Sequence, residues 1–252
     1  MRDRISELRL AHVLVETTDT LDDDFDPERY LDRVAGHCVE LLDASATAVI
    51  FDAPGTPALA TGGHPRDLAL GLLGAQQSGG PCVESLGTGR LVAPVRLTAA
   101  EPARSWPEFT ALARRHGIGV TYAVPLRQRG ALLGALNVFV PEGSRGPHAT
   151  NGELSLAQAI ADATSVGLHN HRAYTEYRTL ATQLQAALTS RVRIEQAKGI
   201  LAERWHTGMD EAFEALRRYA RRERLVMDVV ATEVIKGSLD DASLRGSWSG
   251  SS

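Results

Sequence analysis

The chain has 252 residues, 43% of them hydrophobic and 23% charged, with a formal net charge of −4. That length exceeds the usual single domain of about 100–200 residues, so two units are expected, and the apolar content excludes wholesale disorder or a disulfide-stapled mini-protein. The acidic balance lacks the charge of an obligate nucleic-acid coat, and two distant cysteines, Cys38 and Cys82, fit a reducing compartment.

The start, Met1 to Leu14, interrupts its apolar residues with Arg2, Asp3, Arg4, Glu7 and Arg9, so no signal h-region fits there. No later apolar run reaches the ~20 residues of a membrane span. A cytoplasmic protein with no membrane partner is expected. Residues 1–28 read as an N-terminal helix and an acidic linker. Asp22, Asp23, Asp24 and Asp26 lack the glycine and terminal glutamate of a calcium loop and read as solvated. Arg29–Leu42 has helical spacing through Tyr30, Val34, Cys38 and Leu41. Ala46–Phe51 reads as a buried strand ending in a turn at Asp52-Ala53-Pro54-Gly55. Asp67–Gln77 predicts a short helix and Leu91–Leu97 a strand interrupted by Pro94. Ser105 is placed to cap a helix from Trp106 to His116, with Pro107 in its first turn. Val120–Arg127 and Ala131–Val140, joined through Arg127-Gln128-Arg129-Gly130, predict a hairpin. Helices with a mainly antiparallel sheet make residues 29–150 an α+β domain.

All 11 prolines lie at or before Pro147, which leaves the last hundred residues free to be helical. Leu156, Ile160, Ala163, Gly167, Asn170, Tyr174, Tyr177, Ala181, Leu184 and Leu188 alternate steps of four and three, a heptad seam that is weak at Gly167 and Asn170. The seam fails at Arg191 and Glu195, and a new apolar face begins with Ile194, Ala197, Leu201 and Trp205. Residues 151–189 therefore read as a coiled stalk leading into a small bundle. One helix from Glu153 to Trp205 would be about 80 Å long at 1.5 Å per residue and would call for a homodimer. The other arrangement packs one helix on the sheet domain and starts a second near Tyr177. His206-Thr207-Gly208 breaks the helix. Asp210 is a candidate cap for Glu211–Arg224, and a third helix runs from about Val226 to Lys236. The tail, residues 239–252, reads as disordered.

Charge divides the chain as proline does: residues 178–238 carry a net +3 and the remainder −7. Arg217, Arg218, Arg221, Arg222 and Arg224 fall within eight residues of the second bundle helix, with Arg217, Arg221 and Arg224 on one side. Forked, permanently charged guanidinium groups suit phosphate oxygens. The competing reading is a solvated helix face favoured by the macrodipole.

The run Ser190-Arg191-Val192-Arg193-Ile194-Glu195-Gln196-Ala197-Lys198-Gly199-Ile200-Leu201 resembles the first helix of ANTAR domains. Ala212-Phe213, Leu216-Arg217, Ala220-Arg221 and Asp228-Val229 follow in that family's order, over residues 178–238. The resemblance implies a three-helix RNA-binding module of transcription antiterminators, which recognises paired hairpins with six-base loops in leader RNA, usually as a dimer. Arg191, Lys198, Arg217, Arg218, Arg221, Arg222 and Arg224 are the RNA-binding candidates. Ala197, Gly199, Leu201, Phe213, Leu216 and Val229 read as packing residues. A helical glycine costs about 1 kcal/mol relative to alanine, so Gly199 predicts a close helix–helix approach. The chain departs from the family at Ala202, at Val230 and in the turn Arg222-Glu223-Arg224, which lacks a frequent Asn.

Residues 29–173 resemble a GAF domain in the arrangement of actinobacterial GAF-ANTAR regulators. The carriers are Thr47–Phe51, Gly80-Pro81-Cys82 with Thr88-Gly89-Arg90, and Thr121–Leu126 leading to Leu132-Leu133-Gly134-Ala135-Leu136-Asn137-Val138. That resemblance implies a sensor of a small-molecule ligand whose identity the residues leave open. The Asn-Lys…Phe…Asp-Glu signature of cyclic-nucleotide GAF domains is absent, and no bilin or haem ligand context stands out, so no cofactor is expected.

Cys82, in a Gly-Pro turn, is a candidate reactive thiol, with Cys38 as its one resolving partner; Cys38 itself reads as a buried hydrophobe. His64, His116, His148, His169, His171 and His206 form no metal spacing, no phosphate-binding fingerprint exists, and no catalytic triad is visible. The reading is a non-enzymatic antitermination regulator: a GAF sensor, a dimerising stalk and an RNA-binding bundle. A DNA-binding dimeric regulator and a GAF-fold redox enzyme using Cys82 are the alternatives.

Overall fold

A computed structural model describes residues 2–51, 60–143 and 151–245, which divide into two units, up to Tyr174 and from Thr175 onward. The first unit begins with helices α1 (Arg2–Thr18) and α2 (Pro27–Leu42) and strands β1 (Ala46–Phe51) and β2 (Ala60–His64). Helices α3 (Arg66–Gly74) and α4 (Pro81–Thr88), strand β3 (Val92–Arg96) and helices α5 (Ala100–Ser105) and α6 (Pro107–Arg115) follow. Strands β4 (Ile118–Gln128) and β5 (Ala131–Pro141) precede helix α7 (Asn151–Trp205). The five strands form one antiparallel sheet in the order β2-β1-β5-β4-β3. This is the expected α+β class, with a long helix after the sheet.

Both faces of the sheet are covered, so β1 is buried at every position, a continuous apolar run and not an alternation. Val49, Phe51, Tyr122, Val124, Leu136 and Val138 pack on one face against Tyr30, Leu31, Val34 and Cys38 of α2 and Ala157, Ile160 and Leu168 of α7. Ala46, Ala48, Ile118 and Phe139 pack on the other face against Leu72 of α3 and Phe109 and Ala113 of α6. The β4–β5 hairpin turns at Arg129 and Gly130, both at positive φ (49° and 85°), which is the type I′ geometry that fits the twist of the strands.

Several boundaries differ from those predicted. Strand β2 carries the pair Gly62-Gly63, residues without strand propensity. Gly62 is there because a Cβ would lie 2.4 Å from the Cβ of Leu31 on α2. Gly80-Pro81 opens helix α4, with proline at the first turn and Gly89 at φ 63° closing it, so Cys82 sits in a helix and not in a turn. Ser105 ends α5 and does not cap α6. Asp26 is the N-cap of α2, its side chain accepting from the amides of Glu28 and Arg29. The turn expected at 52–55 and His148 lie outside the described residues.

Before Tyr174, α7 packs within its own unit on a stripe offset from the predicted heptad seam. Ala157, Ile160, Ala161 and Leu168 are buried against the sheet and α2, while of the seam residues Ile160 and Gly167 are buried, Leu156 and Ala163 are half-buried and Asn170 is exposed. Gly167 is small because the N-terminal segment crosses there: a Cβ would lie 2.1 Å from the Thr17 carbonyl. Thr20 donates to the Gly167 carbonyl (2.7 Å), Tyr30 to the Thr17 carbonyl (2.6 Å), and Phe25 stacks on His171 at 4.1 Å.

In the second unit α7 is followed by α8 (Met209–Glu223), α9 (Met227–Lys236) and α10 (Asp241–Arg245). Ala197 and Leu201 of α7, Ala212, Leu216 and Ala220 of α8 and Val230, Ala231 and Val234 of α9 form the core. Three departures from expectation occur here. Gly208, not Asp210, is the N-cap of α8. Among the described residues a Cβ on Gly199 would meet nothing within 4 Å, so no other helix packs closely on it. Residues 241–245 of the tail are helical, with Leu244 buried in the bundle, because one apolar side chain reaches the core; residues 246–252 lie outside the described set.

Candidate nucleic-acid interface and sensor face

Helix α8 buries Ala212, Ala215, Leu216 and Ala220 on one stripe, and this fixes where its arginines point. At about 100° per residue, Arg217, Arg218 and Arg221 fall away from that stripe, and Arg222 lies at its edge, beside Ala215. All four, with Arg224 and Arg191, are exposed. Arg224 is the left-handed C-cap of α8 (φ 57°), a place where glycine or asparagine is usual. Arg217 pairs with Glu214 at 3.3 Å and Arg222 with Glu223 at 2.8 Å. Arg222 also donates to the Ser243 carbonyl (2.6 Å) and lies over the Tyr219 ring. Among the described residues, Arg191, Arg218, Arg221 and Arg224 make no ion pair. Exposed pairs such as Arg217–Glu214 hold by about 0–1 kcal/mol, so a polyanion displaces them at little cost.

Lys198 is placed differently from the arginines. Its side chain is only 15% exposed, its Nζ is 2.9 Å from Glu195, and it lies 5.3 Å from the centre of the Phe213 ring. It joins α7 to α8 as much as it offers a charge to solvent. Beside it Arg193 pairs with Asp228 of α9 at 2.9 Å, a link that the residue pattern did not reveal.

In the first unit the sheet face toward α3, α4 and α6 holds the polar groups. Thr121 and Asn137 are fully buried. Asn137 Nδ2 donates to Thr121 Oγ1 (2.8 Å), and the Thr121 hydroxyl donates to the Val138 carbonyl (3.0 Å). Asn137 Oδ1 is buried without a hydrogen-bond partner among the described residues, a group that a donor on a small ligand or a water would satisfy. Gln76, also buried, accepts the Cys82 amide at 2.8 Å.

Both cysteines are free and buried, so Cys82, the candidate reactive thiol, is enclosed as Cys38 is. Burial pushes each thiol up to about 12, disfavouring the thiolate that any thiol chemistry requires. They also lie on opposite faces of the sheet. Cys38 packs with Val49 and Leu136, and Cys82 with Ile50 and Ala135, each adjacent to its counterpart along the strand. A Cys38–Cys82 disulfide would require the sheet to open. Neither thiol is therefore expected to react with an aromatic disulfide reagent at pH 8 in the native protein, and two thiols per chain should appear on denaturation. Native labelling at the rate of free cysteine would contradict this burial. Since each native thiol keeps its proton where an unfolded one loses it, stability should fall as pH rises from about 9 toward 12.

Among the described residues no group of three His, Cys, Asp or Glu side chains is placed to hold a metal, and no helix is long and apolar enough to cross a membrane. His171 Nδ1 lies 2.9 Å from the Thr20 carbonyl, a structural contact.

The family model of the GAF domain matches residues 26–169, more than half of the chain, and that of the ANTAR domain matches residues 182–235. No curated protein matches the chain. Among solved structures, the GAF domain from a phosphoenolpyruvate-protein phosphotransferase of Coxiella burnetii is 17% identical, with 67% of this chain and 98% of that one covered and a TM-score of 0.45. The GAF domain of the Acinetobacter phosphoenolpyruvate-protein phosphotransferase is 12% identical, covering 64% and 94% at a TM-score of 0.44. A phycocyanobilin-bound GAF domain from a cyanobacterial phytochrome is 14% identical, covering 64% and 94% at 0.42.

Proposed function

The chain belongs to the GAF domain family, and on that premise we propose that it is a cytoplasmic antitermination regulator: its sensor unit receives a small ligand, and its ANTAR unit binds hairpins in leader RNA as a homodimer. A GAF sensor domain with an ANTAR RNA-binding domain is the composition of a regulator, and an enzymatic role for Cys82 finds no support in two buried thiols on opposite sides of a sheet. The observation that carries the RNA reading is the face of α8, where Arg217, Arg218, Arg221, Arg222 and Arg224 are exposed on a rigid helix whose opposite stripe is locked in the bundle core. Guanidinium groups so placed suit successive phosphates of a folded strand. Arg191 extends the charge onto α7, and Lys198 is proposed as a positioning cation beside Phe213. Specificity then comes from loop bases and RNA shape, because the major groove of A-form RNA resists side chains.

Dimerisation is proposed through α7, where Tyr177, Leu180, Leu184, Leu188 and Val192 are large, apolar and exposed. The ligand site is proposed at the sheet face around Asn137 and Thr121, where the unpartnered Oδ1 awaits a donor.

Competition between a labelled RNA hairpin carrying a six-base loop and duplex DNA of equal charge, at fixed salt, tests the RNA reading against the DNA-binding alternative. The hairpin should stay bound against a tenfold excess of duplex. Displacement by the duplex at parity would transfer the assignment to a DNA regulator.

A further inference from the structure

We propose that the C-terminal segment Asp241–Arg245, which lies beyond the matched ANTAR residues, completes a pocket on the bundle for one unpaired nucleobase of the bound RNA; this rests on the RNA-binding reading above and deepens it. The segment is anchored from three directions: Leu244 is buried in the core, Arg204 pairs with Asp241 at 3.0 Å, and Arg222 donates to the Ser243 carbonyl. Anchoring brings the Arg245 guanidinium over the Trp205 ring, 4.7 Å from its centre.

Beside that stack lies a cavity of about 720 Å³, lined by Trp205 and His206, by Asp210, Glu214 and Arg218 of α8, and by Arg245. Its chemistry selects against a phosphate and for a base. The carboxylates repel a phosphate but accept from ring N–H and amino groups, while Arg218 and Arg245 donate to ring nitrogens and carbonyl oxygens. A guanidinium plane or indole ring offers a stacking surface to an unstacked base. Arg218 belongs both to this cavity and to the arginine row, and Arg221 and Arg222 lie one turn further along α8. A strand held by its phosphates on that row therefore brings its next unpaired base to the opening.

The probe is the hairpin that the full-length protein selects from a pool of stems closing a randomised six-base loop, together with versions abasic at each loop position in turn. One abasic position should weaken binding to the native protein about 10- to 100-fold, the usual worth of one stacked base. In Arg245→Ala, which leaves the buried Leu244 in place, the intact hairpin should bind more weakly by that same factor, and the same abasic substitution should cost nothing further. Arg217→Ala with Arg221→Ala should instead lose affinity equally for every loop. An Arg245→Ala protein that keeps the full abasic penalty would overturn the pocket while leaving the RNA reading intact. Failure of the native protein to select any hairpin would overturn both.

Discussion

Replacing Arg217 and Arg221 together with alanine is expected to lower hairpin affinity by at least about 100-fold while leaving the helical content unchanged. Each charge-assisted hydrogen bond to phosphate is worth about 1.5–3 kcal/mol, and each 1.4 kcal/mol is tenfold in affinity. Two such losses on one helix face should take binding below detection at physiological salt. Folding is spared for a specific reason. Both side chains are exposed on the side of α8 opposite Ala212, Leu216 and Ala220, and alanine is the best helix former. The one partner released is Glu214, 3.3 Å from Arg217 across an exposed pair of small worth. Titration of native protein and double variant over a salt series separates charge from shape. The slope of log affinity against log salt should become shallower by about 2, one for each phosphate contact removed. Undiminished affinity would take α8 out of the interface and leave Arg191 and Arg224 to account for binding.

The arginine face was legible because two periodicities agree. A four-residue spacing of arginines and a three-four stripe of apolar residues cannot both point inward on one helix, and Ala212, Leu216 and Ala220 take the inside. The β4–β5 hairpin was legible for a similar local reason, two apolar runs divided by a turn ending in glycine. What escaped the sequence depends on distant neighbours. Strand β2 is written Thr-Gly-Gly-His because α2 needs room above Gly62, and nothing in the local composition announces that contact. Gly167 weakens a heptad not as a flaw in a coiled coil but because Thr17 and Thr20 cross over it. The same three-four spacing thus serves a packed domain before Tyr174 and a solvent-exposed helix after it, and spacing alone does not distinguish the two. Cys82 shows the limit at single residues: a Gly-Pro pair reads as a turn, yet here it starts a helix that carries the thiol under the sheet. Gly199 is the reverse case, a helical glycine whose Cβ would meet none of the described residues within 4 Å.

That open glycine belongs with the second large effect, on assembly. Introducing glutamate at Leu184 and Leu188 together should convert a homodimer to monomer, raising the dimer dissociation constant by at least about 100-fold as read by sedimentation equilibrium. From Thr175 to Leu188 every residue of α7 is exposed, and a helix without a tertiary face is marginal in water. Tyr177, Leu180, Leu184, Leu188 and Val192, 52–74% exposed, nonetheless align on one side of it, a patch of the kind that marks an interaction surface. Steps of three and four make the stripe self-complementary, so a second copy is the simplest partner. Each leucine fully buried there contributes about 1.5–3 kcal/mol, enough over five positions in each protomer to exceed the cost of association. Gly199, 11 residues after Leu188 and 22 after Tyr177, continues that side of the helix into the bundle, so the close approach absent within one chain is available between two. Four introduced carboxylates would meet across the seam and would have to be desolvated against one another. The substitutions touch neither the sensor core nor the bundle core, so each unit should keep its fold. RNA binding then separates the two roles of α7. A monomer should retain affinity for a single hairpin and lose the added affinity for paired hairpins that comes from linking two heads. A native protein that sediments as a monomer at high micromolar concentration would end the dimer reading, and a paired-hairpin preference surviving in the monomeric variant would show that the pair is read by one head.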